Sequence, residues 1–92
     1  MATLIPPTGK ETEVHPANGE SFTLEEMQGF VGGYVQVITL PDGRCLLMDE
    51  EGKMKGQSYN MSATLYGRKA GMMPSDEVVG TALLCTQQEM GD

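Results

Sequence analysis

Apolar and polar positions along this chain change period several times, and each change marks an element. "ATLI", residues 2–5, is a short apolar run stopped by Pro6-Pro7 and Gly9, and "KETEVHP" then alternates as an edge-like second strand. Pro7-Thr8-Gly9 supplies the fixed φ and the permissive glycine of a tight reversal, so the two runs predict an opening hairpin. His15 precedes Pro16, which holds it extended.

In "SFTLEEMQGFVGG" the period lengthens to that of a helix. Leu24, Met27, Phe30 and Val31 make one apolar stripe, with Glu25, Glu26 and Gln28 facing water. Thr23 followed three residues later by Glu26 predicts a capping box, Phe22 and Met27 have the spacing of a hydrophobic staple, and Gly32 or Gly33 supplies the C-cap. About two turns are too few to stand alone, so the stripe must dock on a sheet.

From residue 34 the period returns to two. In "YVQVITL", Val35, Val37 and Thr39 point one way and Tyr34, Gln36 and Ile38 the other. Pro41-Asp42-Gly43 turns the chain and "RCLLMD" returns. Both faces of this hairpin are largely apolar, which predicts a central pair covered on each side. "EEGKMKGQSYN", residues 50–60, is an irregular polar loop. A second helix follows, with Asn60 as N-cap, Met61, Leu65 and Tyr66 on one side, and an end near Gly67 or Gly71. Pro74-Ser75-Asp76 breaks the chain, and "EVVGTALLCT", residues 77–86, is a buried strand in which Gly80 marks a bulge or a close backbone approach. The tail, residues 87–92, is polar and expected to fray. The result is a single α+β domain of order β-β-α-β-β-α-β, mainly an antiparallel sheet of about five strands with two short helices.

Composition narrows the function. The chain has 92 residues, 39% of them apolar, enough for one modest core. Eight methionines and few aromatics suit a small core that gains from association, so a homo-oligomer is expected. A net charge of −7 disfavours nucleic acid as a partner, because counterion release rewards Lys and Arg. No apolar run is long enough for a membrane span or signal peptide, which points to the cytoplasm. Cys45 and Cys85 lie in separate apolar strands without C-x-x-C spacing, and read as two buried reduced thiols. With His15 the only histidine, neither a metal site nor a cofactor is expected.

No catalytic motif is present, and the protein reads as a non-enzyme. Asp49, Glu50 and Glu51 read as a solvated turn, because cation loops distribute ligands at alternating positions. The segment after them is richer. Lys53, Lys55 and Arg68 supply positive charge, Gln57, Asn60 and Thr64 supply polar contacts, and Tyr59 and Tyr66, with Tyr34 before them, supply aromatic faces. Those types suit a small anionic, nucleotide-like ligand.

"FTLEEMQGFVGGYVQVITLPDGRCLLMDEEGKMKGQSYNMSATLYG" with the later "DEVVGTALLC" resembles a family of small uncharacterised proteins of bacteriophages and mobile elements, a domain of unknown function. The resemblance rests on Leu24-Glu25-Glu26, Gly32-Gly33-Tyr34, Asp42-Gly43, Glu51-Gly52-Lys53, the N-x-x-A-T stretch Asn60 to Thr64, and Val78-Val79-Gly80. It implies a phage setting within the host cell cytoplasm, where small non-catalytic proteins counter host defence. The expectation is a binding protein that sequesters a nucleotide-derived immune signal. The alternative is an acidic oligomeric factor that inhibits a host enzyme by protein–protein contact, without a small ligand.

Overall fold

The computed structural model describes residues 2–71 and 77–91. Seven elements follow in the expected order: β1 (Ala2–Ile5), β2 (Thr12–Val14), α1 (Leu24–Val31), β3 (Val35–Thr39), β4 (Arg44–Asp49), α2 (Met61–Lys69) and β5 (Ala82–Thr86). The strands form one antiparallel sheet ordered β2-β1-β5-β4-β3. The break expected at Pro74-Ser75-Asp76 lies outside the described residues.

Parity along β4 and β5 divides the core in two. Cys45, Leu47, Leu83 and Cys85 face α1, where Phe22, Val31 and Ala2 close over them. Leu46, Met48, Ala82 and Leu84 face the other way, toward Ala63 of α2 and toward Ile5, Leu40 and Val78. Each face of the sheet therefore has one helix. The two cysteines, forty positions apart in sequence, stand directly opposite each other across β4 and β5, both fully buried. Burial, with the Cys45 sulfur beside it, pushes the Cys85 thiol up to about 12, so it stays protonated and inert at neutral pH.

The hairpin expected at the centre is only half central. β4 lies inside the sheet, but β3 is its outermost strand, and Gln36, Val37 and Thr39 are exposed. A strand with apolar residues on both faces has the composition of an interior strand whether or not a neighbour follows it.

α1 is built as its sequence dictates. The Thr23 hydroxyl accepts from the Glu26 amide at 3.1 Å, the Glu26 carboxylate accepts from the Thr23 amide at 2.8 Å, and Gly32 ends the helix at φ 86°. Phe22 is buried and meets Phe30 edge to face, ring centroids 5.6 Å apart. Leu24, expected on the apolar stripe, is the first residue of the helix and is 61% exposed.

α2 inverts its expected orientation. Its buried side is small, Ala63, Thr64 and Gly67, with Tyr66 half-buried, while Met61 and Leu65 point outward. What fixes this orientation is Asn60. Its side-chain oxygen caps the helix by accepting from the Ala63 amide at 3.0 Å, and its side-chain nitrogen donates to the carbonyls of Ile5 at 2.9 Å and Gly80 at 2.8 Å. Its own amide donates to Val78 O at 2.8 Å. One turn on, Thr64 Oγ1 donates to Asn60 O at 2.7 Å and accepts from the Val78 amide at 2.8 Å.

The last strand is shorter than the apolar run 77–86. Gly80, at φ 75°, bends the chain, leaving Val79 in an isolated bridge to Tyr59. Residues 87–91, expected to fray, form a turn tied to the start of α1: Phe22 N donates to Glu89 O at 2.6 Å, and the Glu89 carboxylate accepts from the Thr86 amide at 3.0 Å.

Asparagine and aspartate cap helices about equally well, but only asparagine carries the two donors that Ile5 and Gly80 require. Asn60→Asp is therefore expected to cost about 3 kcal/mol and lower the melting temperature by at least about 10 °C, since it sets a carboxylate against two buried carbonyls. Circular-dichroism melts check this, and an unchanged midpoint would reduce Asn60 to a helix cap.

Candidate functional site

The chemistry at the end of β4 begins with strand parity. Asp49 lies two residues beyond Leu47, so it follows Cys45 and Leu47 onto the α1 face, and its side chain has no exposed surface. A buried carboxylate must be satisfied, and the following loop folds back to do so. Oδ2 accepts from Lys55 Nζ at 2.8 Å and from Gln57 Nε2 at 2.9 Å, and Oδ1 accepts from the Glu51 amide at 2.9 Å. Backbone bonds from Lys55 N to Glu51 O at 3.0 Å and from Gln57 N to Gly52 O at 3.1 Å close the loop. The solvated acidic turn expected from sequence is thus correct for the exposed Glu50 only. Asp49 is the buried anchor of the loop, because the parity that buries Leu47 buries it too.

Lys55 also donates to the carbonyl of Gly32 at 3.2 Å, placing a cation at the C-terminal end of α1. Here the paired glycines divide their work. Gly32 takes the left-handed cap, whereas Gly33 gives up a side chain: a Cβ there would lie 2.5 Å from Lys55 Nζ and 2.8 Å from Asp49 Oδ1. The same economy operates behind Gln57, whose side-chain oxygen is buried against the backbones of Gly80 and Gly52.

Burial pushes the Asp49 carboxyl up, but the hydrogen bonds from Lys55, the Glu51 amide and Gln57 outweigh it and hold the group below the usual aspartate range. The Asp49 hydrogen bond in turn raises Lys55. The pair is ionised at neutral pH and satisfied internally.

The structure scatters the residues expected to bind a ligand. Asn60 and Thr64 have no exposed surface, and their polar atoms hold α2 to the sheet. Lys55 and Gln57 are committed to Asp49. Lys53 borders a groove of about 260 Å³ on the α2 side of β3 and β4, where Glu50 and Glu77 outnumber it, a poor setting for an anion. Tyr34, 64% exposed, lines a separate hollow of about 200 Å³ with Lys55, Gln28 and Glu51. Tyr59 is exposed beside Val79, and Arg68 is exposed in the last turn of α2. Tyr66 opens on a third depression of about 260 Å³ with Leu40, Pro41, Asp42, Arg44 and Lys69, the Arg44 guanidinium standing 6.0 Å from its ring centroid.

Sequence reasoning did not bring Arg44 and Lys69 together. They are 25 positions apart, and only the packing of α2 against the β3–β4 hairpin makes them neighbours. Among the described residues, no group of three His, Cys, Asp or Glu side chains is placed to hold a metal ion. No helix among them is long and apolar enough to cross a membrane.

The chain belongs to the family described as a domain of unknown function (DUF3846), whose match covers residues 1–92. No curated protein and no solved structure matches it.

Asp49 has a lower pKa folded than unfolded. Its contribution to stability is complete above the unfolded value of about 3.9 and disappears as pH falls through the native value. Lys55 has the opposite sign, contributing fully below about 10.4 and less as pH rises through its raised native value. Asp49→Asn is expected to lower the melting temperature at neutral pH and to flatten its fall as pH drops below about 4. Melts of both proteins across that range check the assignment, and parallel acid limbs would remove Asp49 from it.

Proposed function

We propose that this protein is a non-enzymatic binding factor of bacteriophages or mobile elements, which inhibits a host protein by docking on it through α2. One observation carries the reading: Met61 and Leu65, one turn apart on α2, are 62% and 52% exposed, and Tyr59, just before the helix in sequence, is 41% exposed. A helix this short normally turns its large apolar residues inward, and here the inward face is filled by Ala63, Thr64 and Gly67. Tyrosine and methionine are favoured at binding surfaces, one for its amphipathic ring and the other for its adaptability. Arg68 and Lys69 follow the stripe in the last turn of α2, so the fitting partner has an apolar cleft with an acidic rim.

Catalysis has little support from the groups that could perform it. Asp49 is bound in its ion pair, Cys85 is a neutral buried thiol, and His15 is exposed with Nε2 on the Glu13 carboxylate at 2.9 Å. Capture of a nucleotide-derived signal is the second reading. It is favoured by the depression that sets Lys69 and the Asp42-paired Arg44 beside the Tyr66 ring, Lys69 offering charge for a phosphate and the ring a face for a base.

The two readings separate by substitution. Met61→Lys combined with Leu65→Lys is expected to abolish inhibition and capture of a host protein, and to move unfolding free energy by no more than about 0.5 kcal/mol, since both sites are exposed. Undiminished capture by this variant would sink the docking reading. Thermal-shift screening against cyclic nucleotides and ADP-ribose derivatives tests the other, because a ligand at a hundred times its Kd stabilises by about 2.7 kcal/mol. Lys69→Ala is expected to remove any such shift.

A further inference from the structure

The two edges of the sheet are built differently. β2 is three residues long, carries Glu13, and is followed by Pro16 shortly after its end, all features that discourage further pairing. β3 is five residues of β-forming sequence, VQVIT, with no charge, proline or glycine. Among the described residues no strand pairs with its outer side.

The register of β3 on β4 shows which of its backbone groups are open. Leu40 N bonds Arg44 O, and Glu50 N bonds Tyr34 O, so the even-numbered residues of β3 direct their N–H and C=O toward β4. Val35, Val37 and Thr39 direct theirs outward, three donors and three acceptors in a row. Val37 is 44% exposed at the middle of that row.

We infer that the outer edge of β3 pairs antiparallel with β3 of a second copy of this chain, about a two-fold axis at Val37, joining two five-stranded sheets into one. The register is self-complementary. With Val37 opposite the partner's Val37, Val35 falls opposite the partner's Thr39, and all three outward donors meet outward acceptors. On the α1 side the pairs are Val with Val and Val with Thr, and on the α2 side Gln36 meets the partner's Ile38; β-branched residues make favourable cross-strand pairs. Charge selects the copy and the edge together. Two chains of net charge −7 repel wherever acidic residues face one another, and residues 34–40 carry no charge at all. Pairing through β2 would bring its Glu13 toward the partner's Glu13. This interface is separate from the α2 stripe and does not depend on its role.

Sedimentation equilibrium from micromolar to millimolar concentration tests the inference. The wild-type mass is expected to rise from the 9.9 kDa of one chain to twice that value, with amide exchange at Val35, Val37 and Thr39 slowing in step. Val37→Lys and Val37→Glu, each placing like charges together at the axis, are each expected to stay monomeric with melting temperatures near that of the wild type. Mixed in equal amounts, they are expected to regain the dimer mass. A wild type that stays monomeric throughout, a dimer that survives both substitutions, or protection of the β3 amides only when a foreign protein is added would each overturn it.

Discussion

The carboxamide of Asn60 bonds three parts of the chain at once: the end of β1 through Ile5, the bend before β5 through Gly80, and the first turn of α2 through Ala63. It is completely buried, where an unmet donor or acceptor costs about 1–3 kcal/mol. A nine-residue helix lacks the length to form by itself, so α2 exists because it is fastened at its N-cap and again at Thr64. With α2 so held, one face of β4 and β5 is covered by small side chains at close range. The larger Met61 and Leu65 are left outside.

The other face depends on a second buried polar group. Asp49 is carried inward by the alternation of β4, and Lys55, Gln57 and the Glu51 amide neutralise it from a loop that would otherwise have nothing to fold around. The same lysine reaches the last carbonyl turn of α1, so the loop, the strand and the helix are one electrostatic unit. Lys55 and Gln57 thereby spend their polar atoms on Asp49. Recognition is left to what the frame displays: the α2 stripe, the Arg44–Tyr66 depression and the open side of β3.

Local signals in the sequence were legible where the deciding contacts lie within a few residues. The Thr23–Glu26 capping box, the glycine turn at Pro41-Asp42-Gly43 and the Asn60 cap each bond across three positions, and each forms as expected. The order of the seven elements follows from the same short-range patterns. Asp49 was legible in principle too, since strand parity alone places it on the inner face, but the acidic residues after it made the stretch resemble a solvated turn.

Which way α2 faces, which strand is outermost and which charges meet were not written in that local code. Met61 and Leu65 have helical spacing whether they face the core or water, and the choice was made by hydrogen bonds from Asn60 and Thr64 to residues far away in sequence. The apolar faces of β3 suit an interior strand equally well, and only the order β2-β1-β5-β4-β3 leaves it at the edge. By itself the sequence determined the elements, their caps and their turns, because those are short-range bonding. Tertiary structure decided orientation, neighbours and surface, because these depend on the partners that distant segments find on folding.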